Sequence, residues 1–130
     1  MLKVNVDGAS RGNPGKAGIG AVATDGSKII FEIHEYIGLA TNNVAEYRAL
    51  IRALEEVRNR GFKEAKFESD SQLVVEQMNG NYRVKDETLK VLYNYARTLS
   101  CKLDFFRIDY VPREKNKAAD DLANLGIDNM

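Results

Sequence analysis

Hydrophobic and polar positions alternate from Leu2 to Asp7, with Leu2, Val4 and Val6 on one side and Lys3, Asn5 and Asp7 on the other. That period of two predicts a strand. The stretch Gly8–Gly15 is dense in turn formers and reads as a loop. Ala17–Thr24 and Lys28–Ile37 flank Asp25-Gly26-Ser27, a hairpin signal, and Ile29, Phe31, Ile33 and Ile37 are expected to share one face. The period then changes. From a start at Thr41-Asn42-Asn43, the residues Val44, Tyr47, Leu50, Ile51, Leu54 and Val57 recur at helical spacing until Gly61. Ala65–Ser69 is a short strand, and Asp70-Ser71 offers a cap for a helix over Gln72–Met78, which Gly80-Asn81 breaks. Glu87–Leu99 is a second amphipathic helix striped with Leu89, Leu92, Tyr93, Ala96 and Leu99. Leu103–Val111 reads as a strand ended by Pro112. Asn116–Leu125 reads as a last helix with Ala118, Ala119, Leu122 and Leu125 inward. The order β-β-β-α-β-α-α-β-α predicts an α/β fold, an antiparallel hairpin block followed by crossovers onto a mixed sheet.

At 130 residues, 44% hydrophobic and 29% charged, the chain has the size and make-up of one globular domain spanning 1–130. No apolar run approaches the roughly 20 residues of a spanning helix, so no membrane association is expected. The polar N-terminus does not resemble a secretory signal, and a lone Cys101 cannot form an internal disulfide, so the expected setting is cytoplasmic. Cys101, near Leu99 and Leu103, is expected to be buried. A monomer is the default expectation. Nineteen basic residues balance nineteen acidic ones, so any polyanion must be held by local patches rather than a global field.

Four carboxylates carry the candidate chemistry. Asp7 is expected to end the first strand and Asp70 the fourth; if these strands are parallel neighbours, both acids emerge at the edge where α/β sheets usually bind ligands. Glu46 lies in line with Leu50, Ala53 and Val57, and an acid on a partly apolar stripe calls for a partner or a metal. Asp120 adjoins Asp121, and adjacent helix positions diverge by about 100°, so only one of them can point at the sheet. Each acid alone has a structural reading, as a cap or a strand end. Converging carboxylates repel one another, and a hard divalent cation such as Mg²⁺ relieves that repulsion.

The segments Val6-Asp7-Gly8-Ala9-Ser10 with Gly12-Asn13-Pro14-Gly15, Thr41-Asn42-Asn43-Val44-Ala45-Glu46, Glu68-Ser69-Asp70-Ser71-Gln72-Leu73-Val74, and Val111-Pro112-Arg113-Glu114 through Ala119-Asp120-Asp121-Leu122-Ala123 resemble type 1 ribonuclease H in order and spacing. The resemblance implies a ribonuclease H-like fold: a five-stranded mixed sheet of order 3-2-1-4-5, strand 2 antiparallel, flanked by helices. It implies metal-dependent hydrolysis of the RNA strand of RNA/DNA hybrids, leaving 5′-phosphate and 3′-hydroxyl ends. Asp7, Glu46, Asp70 and Asp120 match the catalytic acids and metal ligands, with Asp120 preferred over Asp121 because it stands before acid-Leu-Ala. Two Mg²⁺ ions, with Mn²⁺ as substitute, would serve the attacking water and the leaving oxygen.

The resemblance also implies substrate contacts. Asn42 and Asn43 match positions that read the minor groove and its 2′-hydroxyls. Gly12 and Asn13 lie beside the first acid and are expected to approach the RNA backbone, with a plain turn as their structural alternative. Thr41 and Ser71 join the contact set, and helix capping is the structural alternative for Asn42 or Thr41. Double-stranded RNA is a further candidate partner. Two departures stand out. Only Gly80–Lys85 joins the helices where better-known bacterial members carry a basic protrusion, which leaves Arg83, Lys85 and Lys90 as modest phosphate contacts. The loop Pro112–Lys117 lacks the histidine the family often has there, so Arg113 or Lys115 is the candidate for product release or phosphate contact. His34 lies in the third strand and is expected to be structural.

Other signals fail on context. Gly18-Ile19-Gly20-Ala21 imitates a dinucleotide fingerprint without opening a helix, and Gly15-Lys16 lacks the Ser or Thr of a phosphate loop. Two alternatives accompany the hydrolase: a non-catalytic module binding hybrid or double-stranded RNA, and a related DNA-directed nuclease. Retention of all four acids opposes the first, and the Asn42-Asn43 pair opposes the second.

Overall fold

The structure, a computed structural model, describes residues Met1–Met130. Its elements are β1 (Leu2–Gly12), β2 (Gly15–Asp25), β3 (Lys28–Ala40), α1 (Asn42–Asn59), β4 (Glu64–Ser69), α2 (Gln72–Met78), α3 (Glu87–Cys101), β5 (Phe105–Tyr110) and α4 (Lys117–Asp128). A 3₁₀ turn over Arg113–Lys115 precedes α4. The strands form one sheet of order β3-β2-β1-β4-β5. β2 pairs antiparallel with both β1 and β3, while β1–β4 and β4–β5 are parallel. Order and strand directions match the fold that the resemblance implies.

The helices start where side-chain oxygens can satisfy free amides. Thr41, Ser71 and Asp86 accept from the amides of Val44, Val74 and Leu89. Ser71, not Asp70, therefore caps α2, and Asp70 is free to face the sheet edge. One sheet face buries Leu2, Val4 and Val6 of β1 with Phe67 of β4 against Tyr47, Leu50, Leu54 and Val57 of α1. The other face carries α4. There the Gly18-x-Gly20 pattern finds its use as a seat for a helix: a Cβ on either glycine would meet the α4 backbone at Ala123 or Ala119.

Several expectations need correction. β1 does not end at Asp7 but runs on to Gly12, paired with β2 down to Gly15. Its parallel pairing with β4 does stop at Val6↔Ser69, so Asp7 and Asp70 both lie just beyond that ladder. β3 extends to Ala40 and is interrupted by two register shifts, near Ile30 and Ile37. The extra residues reset the alternation, so Phe31 and Ile33 are buried while Ile29 is exposed. α4 buries Ala119, Ala123, Gly126 and Ile127, leaving Ala118 and Leu125 outward. Contact with the β2 glycines, not side-chain hydrophobicity, sets its rotation. β5 is shorter than expected, with Leu103 buried in the turn ahead of it. Cys101 is exposed, because two residues beyond Leu99 on α3 is the far side of that helix.

Candidate active site

The acids meet because three elements converge at one end of the β1–β4 ladder. Asp7 points to the α4 side of β1, and the following residue, Gly8, points to the α1 side. The first turn of α1 rests directly on Gly8, where a Cβ would overlap the backbone of Ala45 and Glu46. That approach lets Gly8 N donate to Glu46 Oε1 at 2.6 Å and carries the Glu46 carboxylate around the strand to Asp7. Asp70 arrives from the end of β4. Oxygens of Asp7, Glu46 and Asp70 all lie within 4.8 Å of one another.

Asp120, in the first turn of α4, completes the wall of a cavity of about 430 Å³ that also includes Asn42 and Arg113. It lies outside the compact triad of the other three acids. Arg113 Nη2 approaches Asp120 Oδ2 at 3.7 Å. Asp121 turns outward and pairs with Lys117, as expected of a surface residue. The start of α4 is fastened to β1 by buried Asn116, whose Nδ2 donates to the Val6 carbonyl at 2.9 Å. Asn5 Nδ2 donates in turn to Asn116 Oδ1 and to Glu68 Oε1, each at 3.0 Å.

Electrostatics in this cluster favour protons or cations. Burial pushes the Asp7 carboxyl up to about 11, with the charges of Glu46 and Asp70 adding to the effect. Burial also raises Glu46, to about 7, although the Gly8 amide pulls it back. Asp70 is raised too, first by burial, with Arg113 opposing the rise. Groups held this far from their ordinary values in a cleft cluster at functional sites. The donor set is all carboxylate oxygen, the spacing suits a shared ion, and the electrostatic deficit is positive charge. Asp7, Glu46 and Asp70 therefore fit a hard divalent cation, with Asp120 on the same wall.

The expected substrate contacts divide. Asn42 lines the acidic cavity, while Asn13, Thr41 and Asn43 line an adjoining hollow of about 320 Å³ with Asp86 and Thr88. Asn13 Oδ1 accepts from the Asn42 amide at 3.1 Å, tying the β1–β2 turn to the head of α1. Gly12 is exposed at the end of β1 with a positive φ of 117°, outside both hollows. The hydroxyls of Thr41 and Ser71 both serve as helix caps. Lys115 is exposed and away from the acids, so Arg113 is the loop cation at the site. His34 is exposed on β3, away from the acids. Sequence reasoning took Asn116 only as a helix start and passed over Gly8 and Asn124. The signal was available, since Asn116, Asp120 and Asn124 recur every four residues along one helix face.

The chain is similar to known proteins over nearly its whole length. Residues 5–126 match the family model described as reverse transcriptase-like. A bifunctional protein of Mycobacterium tuberculosis is 46% identical over 127 residues, which is 96% of this chain but only 35% of that protein's length. The crystal structure of RNase H1 from Halobacterium salinarum superposes with a TM-score of 0.96 at 43% identity, covering 99% of this chain and 98% of that one. LC11-RNase H1, solved in complex with RNA/DNA hybrid, gives 0.95 at 42% identity, with 99% and 98% covered.

Proposed function

The chain belongs to the reverse transcriptase-like family and is of the ribonuclease H1 type, and on that premise we propose that it is an endoribonuclease that hydrolyses the RNA strand of RNA/DNA hybrids. Products carry 5′-phosphate and 3′-hydroxyl ends. The observation that carries this reading is the trio Asp7, Glu46 and Asp70 with oxygens within 4.8 Å of one another, and Asp120 on the same cavity wall. These four acids would hold two divalent cations, Mg²⁺ or in its place Mn²⁺. Cations held there would supply activation of water and neutralisation of charge on the leaving oxygen.

The protein's own part is preorganisation. Gly8 restrains one Glu46 oxygen and Asn116 locks the head of α4 to β1, while Asn42 on the acidic cavity and Asn43 on the adjoining hollow offer amides to the 2′-hydroxyls of a hybrid. Arg113 adds an exposed positive charge for phosphate beside the acids. The setting is cytoplasmic, consistent with an exposed lone cysteine, and the working unit is a monomer.

The test is cleavage of end-labelled hybrid with Mg²⁺, Mn²⁺ or EDTA, beside Asp70→Asn, with double-stranded RNA and DNA duplexes in parallel. Metal-dependent cutting of the RNA strand, lost in the variant, is expected. Cutting of double-stranded RNA would widen the substrate class, while cutting of DNA alone would overturn it. Binding without cutting in either metal would leave a hybrid-binding module.

A further inference from the structure

Asp120 is the acid that the compact triad leaves out, and its carboxylate is held from a different direction. Asn124, one turn further along α4, places Nδ2 at 3.3 Å from Asp120 Oδ1 and 3.0 Å from the Asp120 carbonyl. Asn124 Oδ1 in turn accepts from Arg11 Nη2 at 3.2 Å. Arg11 is anchored by Asp128, with Nη1 to Oδ1 at 2.6 Å, and its Nη2 reaches the Asn124 carbonyl at 3.5 Å. Arg11 and Asn124 both line the acidic cavity.

An amide has one accepting and one donating end, and here each faces the partner of the right sign. We propose that Arg11 and Asn124 form a relay that positions Asp120: the guanidinium fixes the amide, and the amide holds Oδ1, so that Oδ2 is presented to the cavity. Both are positioning residues acting through Asp120, and the inference rests on the function proposed above. Arg11 comes from the far end of β1, beyond Asp7 and Gly8, so the relay also ties α4 to that strand on the side opposite Asn116. Only an amide satisfies both neighbours. A carboxylate at 124 would confront Asp120, and a cation would confront Arg11.

In Arg11→Met, the lost charge and the lost relay act on cation binding with opposite signs. Removing a positive charge from the cavity wall should tighten cation binding if charge alone matters. Losing the relay should weaken it, because Asp120 is no longer held. The experiment measures hybrid cleavage and the Mg²⁺-induced rise in Tm for the wild type, Arg11→Met, Asn124→Ala, the double variant and Asp120→Asn. Loss of an outer partner of a metal-binding acid typically costs about 10–100-fold in affinity or activity, and an exposed relay belongs at the low end. Accordingly, kcat is expected to fall about 10-fold in each single variant, with a higher half-saturating Mg²⁺ concentration, a smaller Mg²⁺-induced rise in Tm and an unchanged KM for hybrid. The double variant should be no worse than Asn124→Ala, since both changes break one chain. Tighter Mg²⁺ binding by Arg11→Met, or a raised hybrid KM alone, overturns the relay. A wild type that gains stability with Mg²⁺ yet cuts no hybrid overturns the cleavage proposal alone; the relay is then judged on the metal-induced Tm of the variants. Arg11 is exposed and Asn124 half-buried, so the variants are expected to fold.

Discussion

Gly8 donates its amide to Glu46 Oε1 at 2.6 Å, and it does so only because it has no side chain. The atoms that a Cβ at Gly8 would meet are the Ala45 carbonyl carbon and oxygen and the Glu46 nitrogen, all backbone. None can swing aside as the end of a flexible side chain would. One backbone position thus sets both the seating of α1 and the distance between two acids carried on different elements.

Gly8→Ala is therefore expected to act on both stability and activity. Forcing a methyl group into a packed contact costs about 1–3 kcal/mol. At roughly 3–5 °C per kcal/mol for a chain of this size, that is a fall in Tm of about 3–15 °C. Cleavage should fall further than the folded fraction does, because α1 must retreat and take Glu46 with it. Thermal melts beside single-turnover cleavage at a temperature where the variant is folded check this, and a folded variant with full activity would contradict it.

The metal-free protein should be least stable where the carboxylates most want to ionise. Asp7 titrates near 3.8 ordinarily and at about 11 in the fold, with burial the main cause. Below pH 3.8 both folded and unfolded chains hold the proton. Above it the unfolded chain releases the proton while the fold retains it, so stability falls as pH rises. Glu46, raised from 4.5 to about 7, adds to the decline up to neutrality. Melts in EDTA should therefore give a Tm that drops between about pH 5 and pH 8. Asp7→Asn should flatten the drop and melt higher than the wild type at pH 8, while losing activity. Mg²⁺ should restore the wild type and leave the variant little changed. A wild-type Tm independent of pH in EDTA would refute the account.

How much of this was legible in the sequence depended on which force sets each feature. α2 appeared at its true bounds because Ser71 and Gly80-Asn81 are local signals, decided by capping and turn chemistry. The four acids were visible through spacing and resemblance, and the structure brings them to one cavity. The extension of β1 was hidden because Gly8–Gly12 has the composition of a turn, yet its partner β2 supplies a long-range ladder that no local pattern reports. The burial of α4 was misjudged for a related reason. Its contact face is chosen by Gly18, Gly20 and Gly126, residues that contribute closeness and not hydrophobicity. Asn116 escaped because a buried polar residue declares itself only through its partners, Asn5 and the Val6 carbonyl.

Asn116→Leu tests that buried link. The substitution keeps roughly the same volume but removes the side-chain donor to the Val6 carbonyl and one of the two acceptors of Asn5, which keeps Glu68; an unsatisfied buried group costs about 1–3 kcal/mol. Tm should fall, and activity should fall beyond the loss of folded protein, because the Asp120 amide donates to the Asn116 carbonyl at the turn this side chain anchors. Leu99→Ala on α3, remote from the acids, is the control: a comparable loss of stability with activity retained while folded. Equal activity per folded molecule in the two variants would reduce Asn116 to a packing role.

Arg113→Ala should separate stability from function. The Arg113 side chain is 77% exposed and its nitrogen lies 3.7 Å from Asp120, a distance and exposure at which an ion pair adds little to folding. Tm should accordingly stay within about 2 °C of the wild type. The side chain still projects positive charge over the acids, where it opposes the rise of Asp70. Its removal should tighten Mg²⁺ binding and weaken hybrid binding together, since it repels the one and attracts the other. If it meets one phosphate, the slope of log affinity against log salt for hybrid should become shallower by about 1, measured with Ca²⁺ in place of Mg²⁺ to hold off cleavage. Arg113→Lys keeps the charge and should recover most of that slope while losing the forked donor geometry. An unchanged slope in Arg113→Ala would make this residue an ordinary surface cation and leave the loop without a phosphate contact.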